Sequence, residues 1–109
     1  MSDGLTLDGL SVPLRALRLL AVDFGHLSAP DAHVSRLYPQ RLELTFHDDL
    51  AGFEAWRDAL NIAPDAVTHG TQNGDRTHVL RTVGEYAGAK LDLVAYGHIP
   101  DLAPAGAAA

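Results

Sequence analysis

The chain holds six histidines and no cysteine, so any metal chemistry would rest on imidazole and carboxylate. Two of the histidines flank a turn signal. The run Gln72-Asn73-Gly74-Asp75 contains Asn-Gly, which supplies both positive φ angles of a type I′ hairpin turn. A two-residue turn there places Val67 opposite Leu80 and His69 opposite His78. Opposed Cβ atoms about 5 Å apart would let both imidazoles reach one Zn²⁺. Zinc needs a third and a fourth ligand, and the sequence identifies neither. His69 and His78 are therefore weak metal candidates. A stacked or hydrogen-bonded pair at the end of a sheet is the preferred reading, and no cofactor is assigned.

His47-Asp48-Asp49 also has the look of a ligand cluster. It stands directly before an amphipathic stretch, however, and every helix start needs a cap whereas few need a ligand. The run reads as a surface histidine followed by capping aspartates. His26, His33 and His98 fall in or near loops and read as polar surface residues. There is no phosphate-binding Gly-rich loop, no HExxH, no GxSxG and no thiol nucleophile. Ser11, Ser28 and Ser35 carry no signature of activation, and the fourteen carboxylates mostly occupy caps, turns and exposed strand positions. No residue is assigned a catalytic role.

These side chains are positioned around one organising stretch, Arg41–Ile62, RLELTFHDDLAGFEAWRDALNI. Leu42, Leu44 and Phe46 alternate with Arg41, Glu43, Thr45 and His47, the pattern of a strand with one buried face. Leu50, Phe53, Trp56 and Leu60 then fall within about 120° of one another at helical geometry, a core-facing stripe. Glu54 and Arg57 can pair along that helix. Upstream, Leu14, Leu17, Leu20, Ala21 and Phe24 predict a helix from about Val12 to Phe24, with Ser11 as N-cap, Pro13 in the first turn and Gly25 as stop. Residues 1–10 read as an irregular lead-in. His33–Tyr38 has strand character, and a turn at Pro39-Gln40 would set Arg36 opposite Glu43 and put Leu37 on the face of Leu42 and Leu44.

Downstream, Ala66–Thr71, Thr77–Tyr86 and Lys90–Tyr96 read as a three-stranded meander. An Ala87-Gly88 turn pairs Glu85 with Lys90, Thr82 with Leu93 and Leu80 with Ala95. Charges then pair and apolar residues meet on one core face. Gly84 marks a bulge or a close approach. The same parity sends Val79, Val83, Val94 and Tyr96 to the opposite face, with Val79 opposite Tyr96 and Arg81 opposite Val94, and with Glu85, Lys90 and Asp92 around them. An apolar centre inside a charged rim is the composition of a binding surface or a homodimer contact.

The expected fold is α+β, with two helices on one face of an antiparallel five-stranded sheet in the order α-ββ-α-βββ. It forms one domain over residues 1–99, and residues 100–109 read as a disordered tail. At 109 residues and 47% hydrophobic content the chain can bury a single core. The formal charge of −6, with no basic run, disfavours direct nucleic-acid binding. No apolar run spans a membrane and no signal peptide opens the chain, so a cytoplasmic protein is expected.

The central run, followed by a meander ending AGAKLDLVAYG, resembles small uncharacterised proteins of high-GC actinobacteria, found in genomes and mobile elements of streptomycete-like organisms. The resemblance covers about residues 12–98. It implies no particular activity and transfers no functional residues. The leading expectation is a small non-catalytic interaction or regulatory module, with a protein partner or a homodimer formed through the sheet face. An inhibitor, antitoxin-like or accessory role in a mobile element fits it. The alternative is a small-molecule-binding protein or enzyme with a pocket between helices and sheet, using Trp56, Tyr86 and a histidine.

Overall fold

The computed structural model describes residues 5–72, 74 and 76–98. The tail expected over residues 100–109 and the Asn73 half of the Asn-Gly turn lie outside them. A 3-10 turn at Leu7–Leu10 leads directly into helix α1, Ser11–Asp23. Strands β1, Asp31–Val34, and β2, Arg41–His47, follow, then helix α2, Leu50–Ala59. A second 3-10 turn, Pro64–Ala66, precedes β3, Thr68–Gln72, β4, Thr77–Tyr86, and β5, Ala89–His98. The α+β class, the two helices and the five strands are as expected. The lead-in is more regular than expected, because Ser11 N–H bonds back to the Asp8 carbonyl and no side chain caps α1.

One feature of the expected sheet is wrong. The strand order is β1-β2-β5-β4-β3, and β2 runs parallel to β5 in an otherwise antiparallel sheet. Burial explains the mixed sheet. Leu91, Leu93 and Ala95 of β5 are buried towards the helices, and Val94, on the opposite face, is 0% exposed as well. With no helix on that side, Val94 is covered by flanking side chains, which requires a strand with a neighbour on each side. Hydrogen bonds extend the parallel pair at both ends: Lys90 N–H donates to the Gln40 carbonyl at 2.9 Å, and Asp48 N–H to the Tyr96 carbonyl at 2.7 Å.

The β4–β5 register is the expected one, with Glu85 opposite Lys90, Thr82 opposite Leu93 and Val79 opposite Tyr96. Its turn is Ala87-Gly88, at φ 52° and 83°, both left-handed as a two-residue hairpin requires. Gly84 is a close approach and not a bulge. It pairs regularly with Leu91, and a Cβ there would lie 2.9 Å from Ile62 Cδ1.

The two other hairpin registers differ from expectation. In β1–β2, His33 and not Arg36 stands opposite Glu43, and Val34 takes the place foreseen for Leu37. Residues 35–38, expected as strand, are wound into a turn that runs on into the next: Tyr38 N–H donates to the Ser35 carbonyl and Arg41 N–H to the Tyr38 carbonyl, with Ser35 Oγ accepting from Leu37 N–H. Leu37 is left 72% exposed. In β3–β4 the pairing is displaced by two residues, so that His69 faces Leu80 and Thr71 faces His78. The ladder stops at Gln72 opposite Thr77, and Arg76 N–H closes the connection on the Gln72 carbonyl.

Both helices pack on one face. Ala16 and Leu20 of α1 and Phe53 and Trp56 of α2 form one core with Leu42, Leu44, Phe46, Leu91, Leu93 and Ala95. Asp49 caps α2, accepting from Gly52 N–H at 3.0 Å, and a Cβ on Gly52 would collide with that carboxylate. Leu50, expected in the buried stripe, is part-exposed and packs over Gly97. Arg57 is the unexpected core member. Its side chain pairs with Glu54 and, through Nη1, caps the Ile62 carbonyl where Asn61 turns left-handed at φ 62°. The Trp56 and Phe24 rings pack edge-to-face with centroids 5.9 Å apart, and the indole N–H donates to the Ser28 carbonyl at 2.7 Å.

Two stability predictions follow from this packing. Trp56→Ala is expected to cost about 3–5 kcal/mol in a denaturant melt. Arg57→Ala is expected to cost about 1.5–3 kcal/mol, the range for hydrogen bonds involving a charged group. A loss near zero for Arg57→Ala would mean that water replaces its contacts.

Candidate functional site

The uncovered face of the sheet is assembled by register. Every second residue of each strand points to it, and the ladders place them in rows. One row holds Arg41, Lys90 and Glu85; the next holds His33, Glu43, Asp92 and Val83. The third holds Asp31, Thr45, Val94, Arg81 and Thr68, and the fourth His47, Tyr96, Val79 and Gly70. All five residues expected to form the binding surface, Val79, Arg81, Val83, Val94 and Tyr96, lie here. They are not equally accessible. Val83 is 71% exposed, Val79 and Tyr96 are half-buried, and Val94 is covered by its neighbours.

At one end of this face lies an open groove of about 610 Å³, lined by His33, Glu43, Thr45, His47, Asp48, Gln72, Thr77, Tyr96 and His98. The His47 and Tyr96 rings are stacked there, with centroids 5.3 Å apart and planes 13° apart. His47 Nε2 is 3.6 Å from Asp31 Oδ2. Asp48 does not cap α2. At φ 54° it turns back and its Oδ1 accepts from His98 N–H at 3.1 Å, fastening the end of β5. At the opposite end Arg41 lies 4.0 Å over the Tyr38 ring and 3.7 Å from Asp92. Sequence reasoning missed the groove because its residues come from five strands, whose two sides are joined by the parallel β2–β5 pair. The available signal was parity: Glu43, Thr45 and His47 share a face of β2, and Tyr96 and His98 share a face of β5.

The other candidates are accounted for differently. His69 and His78 share the helix-side face of their hairpin but are staggered, not opposed. Among the described residues no group of three or more His, Cys, Asp or Glu is arranged to hold a metal ion. Between helices and sheet, Trp56 is bonded to the Ser28 carbonyl, and the Tyr86 hydroxyl donates to the Asp23 carboxylate while its ring packs on Phe24. Both aromatics foreseen for an internal pocket therefore serve the packing between loop, helix and sheet.

Among the described residues no helix is long and apolar enough to cross a membrane. No family model, curated protein or solved structure matches the chain.

The staggered pair gives a direct test of the metal reading. Added Zn²⁺ is expected to shift the melting temperature of the wild type and of His78→Ala equally. A stabilisation that disappears with His78→Ala would restore a histidine-dependent site.

Proposed function

We propose that the chain is a small interaction or regulatory module that works without catalysis. It binds a protein through the uncovered face of its sheet, helped by its acidic surface. The observation that carries this reading is the asymmetry of the sheet. One face is filled by two helices, and the other keeps Val83 exposed beside Val79 and Tyr96 within a rim of Arg81, Glu85, Lys90 and Asp92. Burying such a patch against a second surface gains free energy in proportion to the apolar area removed from water. Commitment of Trp56 and Tyr86 to internal hydrogen bonds favours this reading over a pocket between helices and sheet. The partner is a protein and not a nucleic acid, in keeping with the formal charge of −6. A cytoplasmic accessory factor of an actinobacterial host or its mobile elements fits these features.

Val83 and Val22 make a matched pair for the test, since Val22 on the outside of α1 is 74% exposed. Tagged wild type, Val83→Glu and Val22→Glu would be used to capture partners from a host extract, with sedimentation of each form to read self-association. The expected outcome is association retained by wild type and Val22→Glu and lost in Val83→Glu, because a charge in an apolar contact is desolvated without compensation. Equal behaviour of the two variants would remove the sheet face from the interaction.

A further inference from the structure

The two edges of the sheet differ in how they are protected. β1 and β3 each have a neighbour on one side only, and such a strand presents a row of unpaired backbone N–H and C=O groups. β1 is four residues long, follows Pro30 and carries Asp31, all of which discourage a further strand. β3, Thr68–Gln72, has no proline and pairs regularly with β4, and all five of its residues are exposed. It is the only one of the five strands without Asp, Glu, Lys or Arg.

Gly70 stands at the midpoint of β3. A glycine inside a strand weakens it and often marks a place where another backbone comes close. The other two strand glycines are accounted for within the chain: an added Cβ would lie 2.9 Å from Ile62 at Gly84 and 3.0 Å from Leu50 at Gly97. At Gly70 the nearest atom is the Val79 carbonyl oxygen at 4.0 Å, and φ is not left-handed. The chain itself gives no use for this glycine.

We propose that β3 pairs antiparallel with β3 of a second copy about a two-fold axis at Gly70, joining two five-stranded sheets edge to edge. Thr68 then faces Gln72 of the second copy, and His69 faces Thr71 of the second copy. Polar pairs meet and no like charges do, although each copy carries a formal charge of −6. No other strand allows this without a fixed charge. The axis stands perpendicular to the sheet, so both copies turn their helices to one side and their uncovered faces to the other. Pairing uses the backbone of β3 and leaves the uncovered face free, so it is independent of binding through that face and would double it. A five-residue strand pair buries less than a standard interface, which makes the dimer weak and concentration-dependent.

Sedimentation over about 10 μM to 1 mM compares wild type, Gly70→Lys, Ala32→Lys and Val83→Glu, with circular dichroism to confirm folding. Gly70→Lys puts two ammonium groups side by side at the axis, in a position where the fold has room for a side chain. Ala32→Lys puts the same charge on exposed β1. Each changes the formal charge from −6 to −5, so net charge alone would favour association in both. The expected result is a monomer–dimer equilibrium for wild type, Ala32→Lys and Val83→Glu, with dissociation raised by about tenfold or more in Gly70→Lys. As a second readout, Gly70→Cys in this cysteine-free chain is expected to form a disulfide-linked dimer on mild oxidation faster than Ala32→Cys. A wild type that stays monomeric, or equal rates of cross-linking, would overturn the proposal. So would a dimer that survives Gly70→Lys or dissociates in Val83→Glu, since the second copy would then sit elsewhere. Loss of captured partners in Val83→Glu with the dimer intact separates the two readings.

Discussion

The structure depends on β5 holding the centre of the sheet, between β2 and β4. Its helix-facing residues, Leu91, Leu93 and Ala95, belong to the core, and Val94 on the other face is equally inaccessible. Such a strand cannot sit at an edge, where it would leave apolar surface and one row of backbone groups in water. It is flanked by β4, to which it is joined by a tight turn, and by β2, which runs parallel to it. Both helices pack over this central pair, and the short β1 and the exposed β3 are left to close the edges.

The two faces of the sheet are built on different physics. The helix side is dry over β2 and β5, and the polar groups buried near it are satisfied locally: Arg57 by Glu54 and a backbone carbonyl, Thr82 Oγ1 by the Ala66 carbonyl, the indole of Trp56 by Ser28. This follows from the cost of burying an unpaired polar group. The opposite side is wet and carries most of its polar residues without such provision. Carboxylates that look alike in sequence divide accordingly. Asp49 is spent on a helix cap and Asp48 on the end of β5, while Glu43 stands in the ladder between a like charge, Asp92, and His33.

Local patterns in the chain were enough for some of this and not for the rest. The β4–β5 register was legible because a two-residue turn, a Glu85–Lys90 pair and the apolar parity all agree, and each is set by residues close in sequence. The same kind of reasoning failed by two residues at β3–β4, where the connection is longer than Asn-Gly alone implies. It failed by three at β1–β2, where Ser35 and Tyr38 begin turns that consume residues assigned to strand. The five residues of the sheet face were legible from parity, but the covering of Val94 was not, since it depends on a second neighbouring strand. The groove was out of reach for the same reason. Its walls meet through the β2–β5 pair, and the only trace of that pairing in the sequence is the apolar run LVA within Leu91–Ala95, hydrophobic on both parities.

The parallel pair also fixes when the molecule can be completed. Arg41 and Lys90 are partners although they lie almost half the chain apart, and the strand that joins the two sides of the sheet is the last of the five to be synthesised. The β4–β5 hairpin is short-range and pays little loop-closure entropy, whereas β2 has no second neighbour until β5 exists. Until then one backbone edge of β2 has no ladder partner. For that interval the chain's exposure to chaperones and proteases is set by topology, and not by the stability of the finished fold.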